Sequence, residues 1–116
     1  MMTINDVEKY MTDKGYIVES SKEIRCYEDK KYIHTILQCQ QTKNGLPLKT
    51  QNLVWFRLEN RDGDVYPQLD EWTWYFSGKA YDSNSNYEHF DKEIIELKNE
   101  EILGDFIDKV ENYSKG

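Results

Sequence analysis

The residue types that most often perform catalysis are scarce in this chain of 116 residues. Its two histidines are His34, which lies within an apolar run, and His89, which follows Glu88. A lone Glu-His pair is a very weak catalytic signal, and no sequence context supports a Cys–His pair that uses Cys26 or Cys39 as nucleophile. The sequence also lacks a Gly-rich phosphate loop, a GxSxG motif and an HExxH motif. It therefore predicts a protein that is not an enzyme and uses no cofactor.

One group of oxygen ligands has the spacing of a calcium-binding loop. Its members, at the offsets of positions one, three, five and twelve of an EF-hand, are Asp82, Asn84, Asn86 and Glu93. Tyr87 occupies the position at which that loop needs Gly, and a strand rather than a helix is expected before it. A polar, flexible surface loop over residues 82–86 explains the same pattern, so we expect no metal site.

The distribution of charge is the most informative feature of the sequence. Residues 1–58 hold nine Lys and Arg against seven Asp and Glu, whereas residues 59–116 hold six against fifteen. The acidic half repels nucleic-acid phosphate and suits a basic protein surface, although acidic helices can also serve only to keep a protein in solution. The carboxylates expected to bind a partner in this half are Asp62, Asp64, Asp70, Glu71, Glu96, Glu100, Glu101, Asp105, Asp108 and Glu111.

An aromatic sheet is the element that must position these side chains. Alternating apolar residues predict two of its strands, Val54, Phe56 and Leu58 in the first and Trp72, Trp74 and Phe76 in the second. Asp62-Gly63 favours a turn that folds the chain back as a hairpin after the first of these strands, and the strand from Trp72 is expected as the third of the stretch, after a kink near Pro67. The aromatics out of phase with the buried set either form a surface or lie under a helix; they are Trp55, Tyr66 and Tyr75.

Two amphipathic helices are expected at the ends of the chain. The first should run from Thr3, an N-cap with Asp6 in the position of a capping box, to Lys14. The second should begin after Asn99, its expected N-cap, and end near the C-terminus. The apolar stripe of the second helix consists of Ile102, Leu103, Phe106, Ile107, Val110 and Tyr113.

The other strands are less sharply marked. We expect strands at 16–20 and 24–27, joined as a hairpin across 21–23. A last edge strand is expected at 93–98.

Residues 32–40 allow two interpretations. They alternate as a strand does, but Ile33, Ile36 and Leu37 would also form the stripe of a helix; we favour the strand because a turn and a clear strand follow. Asn-Gly and Pro in the next segment indicate a loop over residues 43–49.

These elements predict an α+β fold in a single domain that spans residues 1–116. Its antiparallel sheet of about four to six strands should be flanked by an N-terminal and a C-terminal helix in two layers. No apolar run is long enough for a membrane span and no signal segment opens the chain, so we expect a cytoplasmic protein.

The first half of the sequence also contains residues that are suited to binding single-stranded nucleic acid. Exposed Tyr rings can stack on bases while Lys and Arg contact phosphate. The residues concerned are Lys22, Arg25, Tyr27, Lys30, Lys31 and Tyr32. The acidity of the whole chain counts against this alternative, because phosphate contacts supply much of the affinity in such complexes.

The opening of the chain leads from a short helix into Tyr16-Ile-Val-Glu19-Ser20. This opening resembles the phage-encoded uracil-DNA glycosylase inhibitors, which are acidic DNA mimics in which a helix leads into a strand ending in Glu-Ser-Ile. Ser21 stands where that family has Ile, and the similarity covers roughly the first twenty residues. The resemblance implies that Glu19 and Ser20 contact the DNA-binding face of an enzyme.

The sequence thus predicts a small acidic protein-binding module without catalytic activity. We expect an inhibitor of a nucleic-acid-processing enzyme, of DNA-mimic or anti-CRISPR type, carried by a phage or another mobile element. One alternative is a bacterial immunity protein that neutralises a basic toxin nuclease through the same acidic surface. Another is the single-stranded nucleic-acid-binding domain.

Overall fold

A computed structural model describes residues 1–27, 30–43, 46–47, 54–61 and 72–116. Within these residues the helices and strands are Ile4–Asp13 (α1), Tyr16–Tyr27 (β1), Lys30–Lys43 (β2), Leu46–Pro47 (β3), Val54–Arg61 (β4), Trp74–Tyr81 (β5), Tyr87–Ile94 (β6) and Glu100–Ser114 (α2). Five strands form one antiparallel sheet in the order β1-β2-β4-β5-β6, and the short β3 pairs with β2. The predicted α+β fold, with a helix at each end of the chain, is confirmed.

Both helices begin with the caps that the sequence predicts. Thr3 Oγ1 accepts a hydrogen bond from the Asp6 backbone N–H at 3.2 Å, and the Asp6 carboxylate accepts one from the Thr3 N–H at 2.8 Å. Gly15 follows α1 with φ +97°, a value that Gly adopts without strain. Asn99 Oδ1 accepts from the Glu101 N–H at 3.1 Å at the start of α2. Neither of the two helices found in the described residues is both long and apolar enough to cross a membrane.

The buried core lies between the two helices and one face of the sheet, which we call the helix face. Val54, Phe56 and Leu58 on β4 are buried, as their spacing predicts, and so are Trp74 and Phe76 on β5. The helices complete this core with Val7 and Met11 from α1 and with Leu103, Phe106, Ile107 and Val110 from α2. The opposite side of the sheet, which carries no helix, is the open face.

A glycine allows α2 to approach the middle of the sheet. Gly78 lies on β5, opposite Phe56 in the register of β4. A Cβ atom at Gly78 would lie 2.7 Å from Val110 Cγ2 and 3.2 Å from Phe56 Cε1. Any larger residue would therefore overpack the contact between α2 and the sheet.

The predicted hairpin within residues 16–27 is wrong. Tyr16–Tyr27 is one continuous strand of 12 residues, and β2 pairs with it from end to end. Residues 21–23, expected to turn, continue the pairing. They include no Gly, Asn, Asp or Pro, so that Ser21 is the only residue among them that favours a turn, and β2 offers a partner along the whole length.

The structure resolves the ambiguity over residues 32–40 in favour of the strand, within β2. β2 is paired by β1 on one side and by β4 on the other, so that long-range pairing decides between the two periodicities. The loop predicted over 43–49 is partly wrong, because β3 pairs with the end of β2. Pro47 is tolerated there because β3 is a two-residue strand at an edge. Residues 44–45 and 48–49 lie outside the described residues.

The strand predicted from Trp72 is confirmed from Trp74 onward as β5, which continues to Tyr81. Trp72 itself precedes the strand, and it is half-buried against Tyr75 rather than in the core with Trp74 and Phe76. Thr73, just before β5, bonds to the ends of β6 and β4. The Thr73 N–H donates to the Ile94 carbonyl at 3.0 Å, and the Thr73 carbonyl accepts from the Arg61 backbone N–H at 2.8 Å. The turn predicted at Asp62-Gly63 lies outside the described residues.

The last strand lies earlier in the chain than the sequence indicates. It spans Tyr87–Ile94 rather than 93–98, and most of its side chains are exposed, so that it lacks the alternation of a half-buried strand. Leu97, which gave the predicted strand its apolar character, is instead buried beneath the start of the chain. Its carbonyl accepts a hydrogen bond from the Met2 N–H at 2.8 Å.

Candidate functional site

The predicted carboxylates of α2 form an exposed row along the helix. Glu101, Asp105 and Asp108 follow one another at spacings of four and three residues and therefore lie on one side. All three are exposed, and Glu100 beside them in the first turn is exposed as well. The apolar stripe on the other side of α2 packs on the sheet. The helix thus presents a continuous line of negative charge to solvent.

Two of the predicted carboxylates have a basic neighbour at the end of α1. Lys14 Nζ lies 3.7 Å from Asp108 Oδ1 and 3.5 Å from Glu111 Oε1. Glu111 is only half-exposed and lies close to Tyr16 on β1, where burial and the charge of Glu111 raise the pKa of the Tyr16 hydroxyl. Glu111 therefore joins α1, α2 and β1 and is a structural contact more than a docking group.

The other predicted carboxylates near α2 differ in their pairing. Glu96 Oε2 lies 3.9 Å from Lys98 Nζ, an exposed pair that contributes little to stability. Within the described part of the chain, no ion pair involves Glu100, Glu101 or Asp105. Of these three, Glu100 lies near enough to Lys9 for its charge to contribute to raising the pKa of that lysine.

Charge is segregated between the layers of the molecule. Residues 1–14 and 99–116, which form the acidic helical layer, hold eight Asp and Glu against four Lys. The described residues between them, which form the sheet and its connections, hold eight Asp and Glu against ten Lys and Arg. Among the described residues, the helical layer thus has a net charge of −4 and the sheet with its connections a net charge of +2.

Glu19 and Ser20 point to opposite faces of the sheet. Glu19 is paired with Gln38 on the open face, whereas Ser20 is paired with the core residue Leu37 on the helix face. Glu19 consequently lies on the opposite side of the sheet from the carboxylates of α2. The predicted site residues thus do not form a single surface. The remaining ones, Asp62, Asp64, Asp70 and Glu71, lie outside the described residues.

The open face carries a shallow groove that the sequence does not reveal. It has a volume of about 720 Å³ and crosses β2, β4, β5 and β6. Its side chains alternate with the core residues, so that Trp55 and Tyr75 are surface aromatics rather than residues under a helix. The polar and aromatic residues that line this open-face groove are Gln38, Gln40, Trp55, Arg57, Glu59, Tyr75, Ser77, Lys79, Tyr81, Tyr87, His89 and Asp91.

A serine, a histidine and an aspartate meet in this groove. Ser77 Oγ lies 2.8 Å from His89 Nε2, and Asp91 Oδ1 lies 3.2 Å from the same nitrogen. In a catalytic triad the carboxylate holds Nδ1, so that Nε2 is free to accept the proton of the nucleophile. Here both neighbours share Nε2, and the arrangement is that of a polar cluster suited to hydrogen bonding a ligand.

The remaining histidine and its neighbours form a buried cluster. His34 is 0% exposed and packs edge-to-face against Trp72, with ring centroids 5.5 Å apart. Burial, and then the charge of Arg61, lower the pKa of His34, which favours the neutral imidazole. Tyr32 is buried beside it, with the Arg61 guanidinium 5.3 Å from its ring. Tyr32 is therefore not available to stack on a base.

The two cysteines are free thiols in different surroundings. Cys26 is exposed, whereas Cys39 is buried in the core. Burial raises the pKa of the Cys39 thiol to about 12, so that it is protonated and a poor nucleophile at neutral pH.

Residues 82–86, which have the spacing of a calcium-binding loop, form a turn held by the Asp82 carboxylate. The Asp82 carboxylate accepts hydrogen bonds from the Asn86 side-chain amide at 2.9 Å and from the backbone N–H groups of Asn86 and Asn84 at 2.8 and 2.9 Å, and these bonds lower its pKa. Glu93 lies far along β6, opposite Tyr75. In the part of the chain that the structure describes, no three His, Cys, Asp or Glu side chains are grouped to hold a metal ion. The four residues of the calcium-loop pattern are therefore spread from this turn along β6 rather than gathered in one loop.

Comparisons of the chain with protein-family models, with curated proteins and with solved structures find no significant match. Function has to be inferred from the acidic helical layer and from the open-face groove.

Proposed function

We propose that this protein is a non-enzymatic binding module whose acidic helical layer covers the basic, nucleic-acid-binding surface of a partner protein. The observation that carries the proposal is the segregation of charge. The helical layer holds twice as many Asp and Glu as Lys, while the described sheet residues hold a small excess of Lys and Arg. A basic partner is attracted to one side of such a molecule, and the field orients it before contact.

The row on α2 supplies the centre of this surface. Glu101 and Asp105 are exposed and have no ion pair within the described chain, while Asp108 shares Lys14 with Glu111. The carboxylates of the row are about 4.5 to 6 Å apart along the helix axis, whereas phosphates on one DNA strand are about 3.4 Å apart. The row is therefore a sparser set of charges than DNA. The row would orient the partner and raise the association rate, and the surrounding contacts would supply much of the affinity.

Two biological roles fit this surface. The one we propose is an inhibitor of a nucleic-acid-processing enzyme, of the kind that phages and other mobile elements carry. The alternative is an immunity protein that covers a toxin nuclease, and the identity of the partner distinguishes the two. The resemblance to uracil-DNA glycosylase inhibitors points instead to Glu19, which lies on the open face and can be tested separately.

Affinity capture with matched charge-reversal variants tests the proposal. Immobilised wild-type protein is expected to retain a basic nucleic-acid-binding protein from bacterial lysate, and Glu101→Lys/Asp105→Lys should weaken that complex about tenfold or more. The control is Asp91→Lys/Glu93→Lys, which makes the same change in net charge at exposed positions of β6 on the open face. Equal loss in both double variants, or loss only in Glu19→Lys, would contradict docking through α2.

A further inference from the structure

The open-face groove has two aromatic groups separated by a polar floor. At one end the ring of Tyr81 contacts Trp55 and Tyr87, with centroid distances of 5.7 and 5.2 Å. At the other end Tyr75 lies against Trp72 at 5.3 Å. Trp55 is paired with Lys79, four residues from Tyr75 on β5, so the two groups are about 13 Å apart along the sheet. The groove therefore suits an elongated ligand that has apolar surfaces about 13 Å apart, one for each aromatic group.

The charges in the groove are balanced and mostly paired. Its lining includes two cations, Arg57 and Lys79, and two carboxylates, Glu59 and Asp91. Arg57 Nε lies 2.8 Å from Glu59 Oε1, while Asp91 contacts His89. Among the described residues, Lys79 alone of these four charged groups has no ion pair.

The uncharged part of the floor both donates and accepts hydrogen bonds. The amides of Gln38 and Gln40 lie in neighbouring positions of β2 on the open face, and the Ser77 hydroxyl lies across the groove from them. An amide or hydroxyl can serve as donor or acceptor, whereas the carboxylates beside them only accept. A complementary ligand should therefore offer many groups that can both donate and accept hydrogen bonds.

We infer that the open-face groove binds a segment of a neutral oligosaccharide. The C–H faces of sugar rings would pack on the two aromatic groups, and the hydroxyls would bond to the amides and to the paired charges between them. This site is on the opposite side of the sheet from the acidic helical layer and does not depend on the function proposed for that layer.

Two other elongated ligands fit the groove less well. A nucleic-acid strand would bring phosphates against Glu59 and Asp91, with Lys79 as the one cation not already paired within the described residues. A proline-rich peptide also packs on aromatic grooves, but proline has no N–H and would offer few donors to the amide and hydroxyl oxygens of the floor.

NMR titration of the full chain with defined ligands tests the inference. The neutral probes are linear oligosaccharides from cellulose, chitin, xylan and starch, and the comparison probes are oligothymidine and an oligoproline peptide. At least one neutral oligosaccharide is expected to shift the indole signal of Trp55 and the amide signals of Gln38 and Gln40 in a saturable manner. The signals of α2 should not move.

A pair of neighbouring variants on β6 tests the position of the site. Tyr87→Ala removes a ring that is 47% exposed and should weaken oligosaccharide binding about threefold or more. Glu88→Ala changes the next residue, which is paired with Ala80 on the helix face, and should leave binding unchanged. The inference is overturned if no neutral oligosaccharide shifts the groove signals, if a comparison probe shifts them at lower concentration, or if both variants bind as the wild type does.

Discussion

Gly78 shows how one residue sets the distance between a helix and the sheet. Because a Cβ atom there would lie 2.7 Å from Val110 Cγ2 and 3.2 Å from Phe56 Cε1, Gly78→Ala must displace one of these core side chains or move α2. We expect it to lower the free energy of unfolding by about 1–3 kcal/mol, the usual cost of overpacking a core. Urea denaturation followed by tryptophan fluorescence measures the change.

The control for this variant is its neighbour on the other side of the sheet. Lys79→Ala truncates an exposed side chain and should change the free energy of unfolding by no more than about 0.5 kcal/mol. If Gly78→Ala unfolds at the same urea concentration as Lys79→Ala, then α2 does not pack on β5 as closely as the structure indicates.

At the scale of elements, the cap of α1 gives the stability a dependence on pH. The Thr3 backbone N–H, and then its hydroxyl, stabilise the charged Asp6 carboxylate and lower its pKa in the folded state. A carboxyl whose pKa is lowered by folding stabilises the protein above its unfolded pKa of about 3.9, and this contribution is lost as the pH falls through the lower folded value. Asp6→Asn should therefore flatten the acid limb of the stability curve.

Urea unfolding at a series of pH values from neutral to strongly acidic measures this effect. Asp105→Asn is the control, since it removes an exposed carboxylate that lies outside the helix cap. If the stability of Asp6→Asn falls with acid as steeply as that of the wild type, then the capping box does not contribute to the pH dependence.

The elements that the sequence predicts well are those specified by local chemistry. The capping residues of α1 and α2 and the alternation in β4 are each contained within a few neighbouring residues, and all were confirmed. β1 was missed as a single strand because its continuity depends on a partner elsewhere in the chain. β6 was misplaced because it is mostly exposed and has no apolar pattern of its own.

The same distinction applies to the candidate sites. The exposure of Glu101, Asp105 and Asp108 follows from the period of one helix and could be predicted from the sequence. The open-face groove could not, because it requires the strand order β2-β4-β5-β6, which brings Gln38, Trp55 and His89 together from distant parts of the chain.

At the scale of the whole molecule, the two faces of the sheet have different electrostatic character. The acidic helical layer carries unpaired carboxylates, whereas charges in the open-face groove balance. The affinity of a partner for the helical layer should depend strongly on ionic strength. At physiological salt, exposed charges more than about 8 Å apart are largely screened from each other. A neutral ligand of the groove should respond weakly.

The salt dependence of association tests docking through the helical layer most directly. For the captured partner, the association rate of the wild-type protein is expected to fall about tenfold or more between about 50 mM and about 500 mM salt. The rate for Glu101→Lys/Asp105→Lys should be lower at the start and change much less. Association that is equally sensitive to salt in both proteins, or insensitive in both, would contradict the proposed role of these carboxylates.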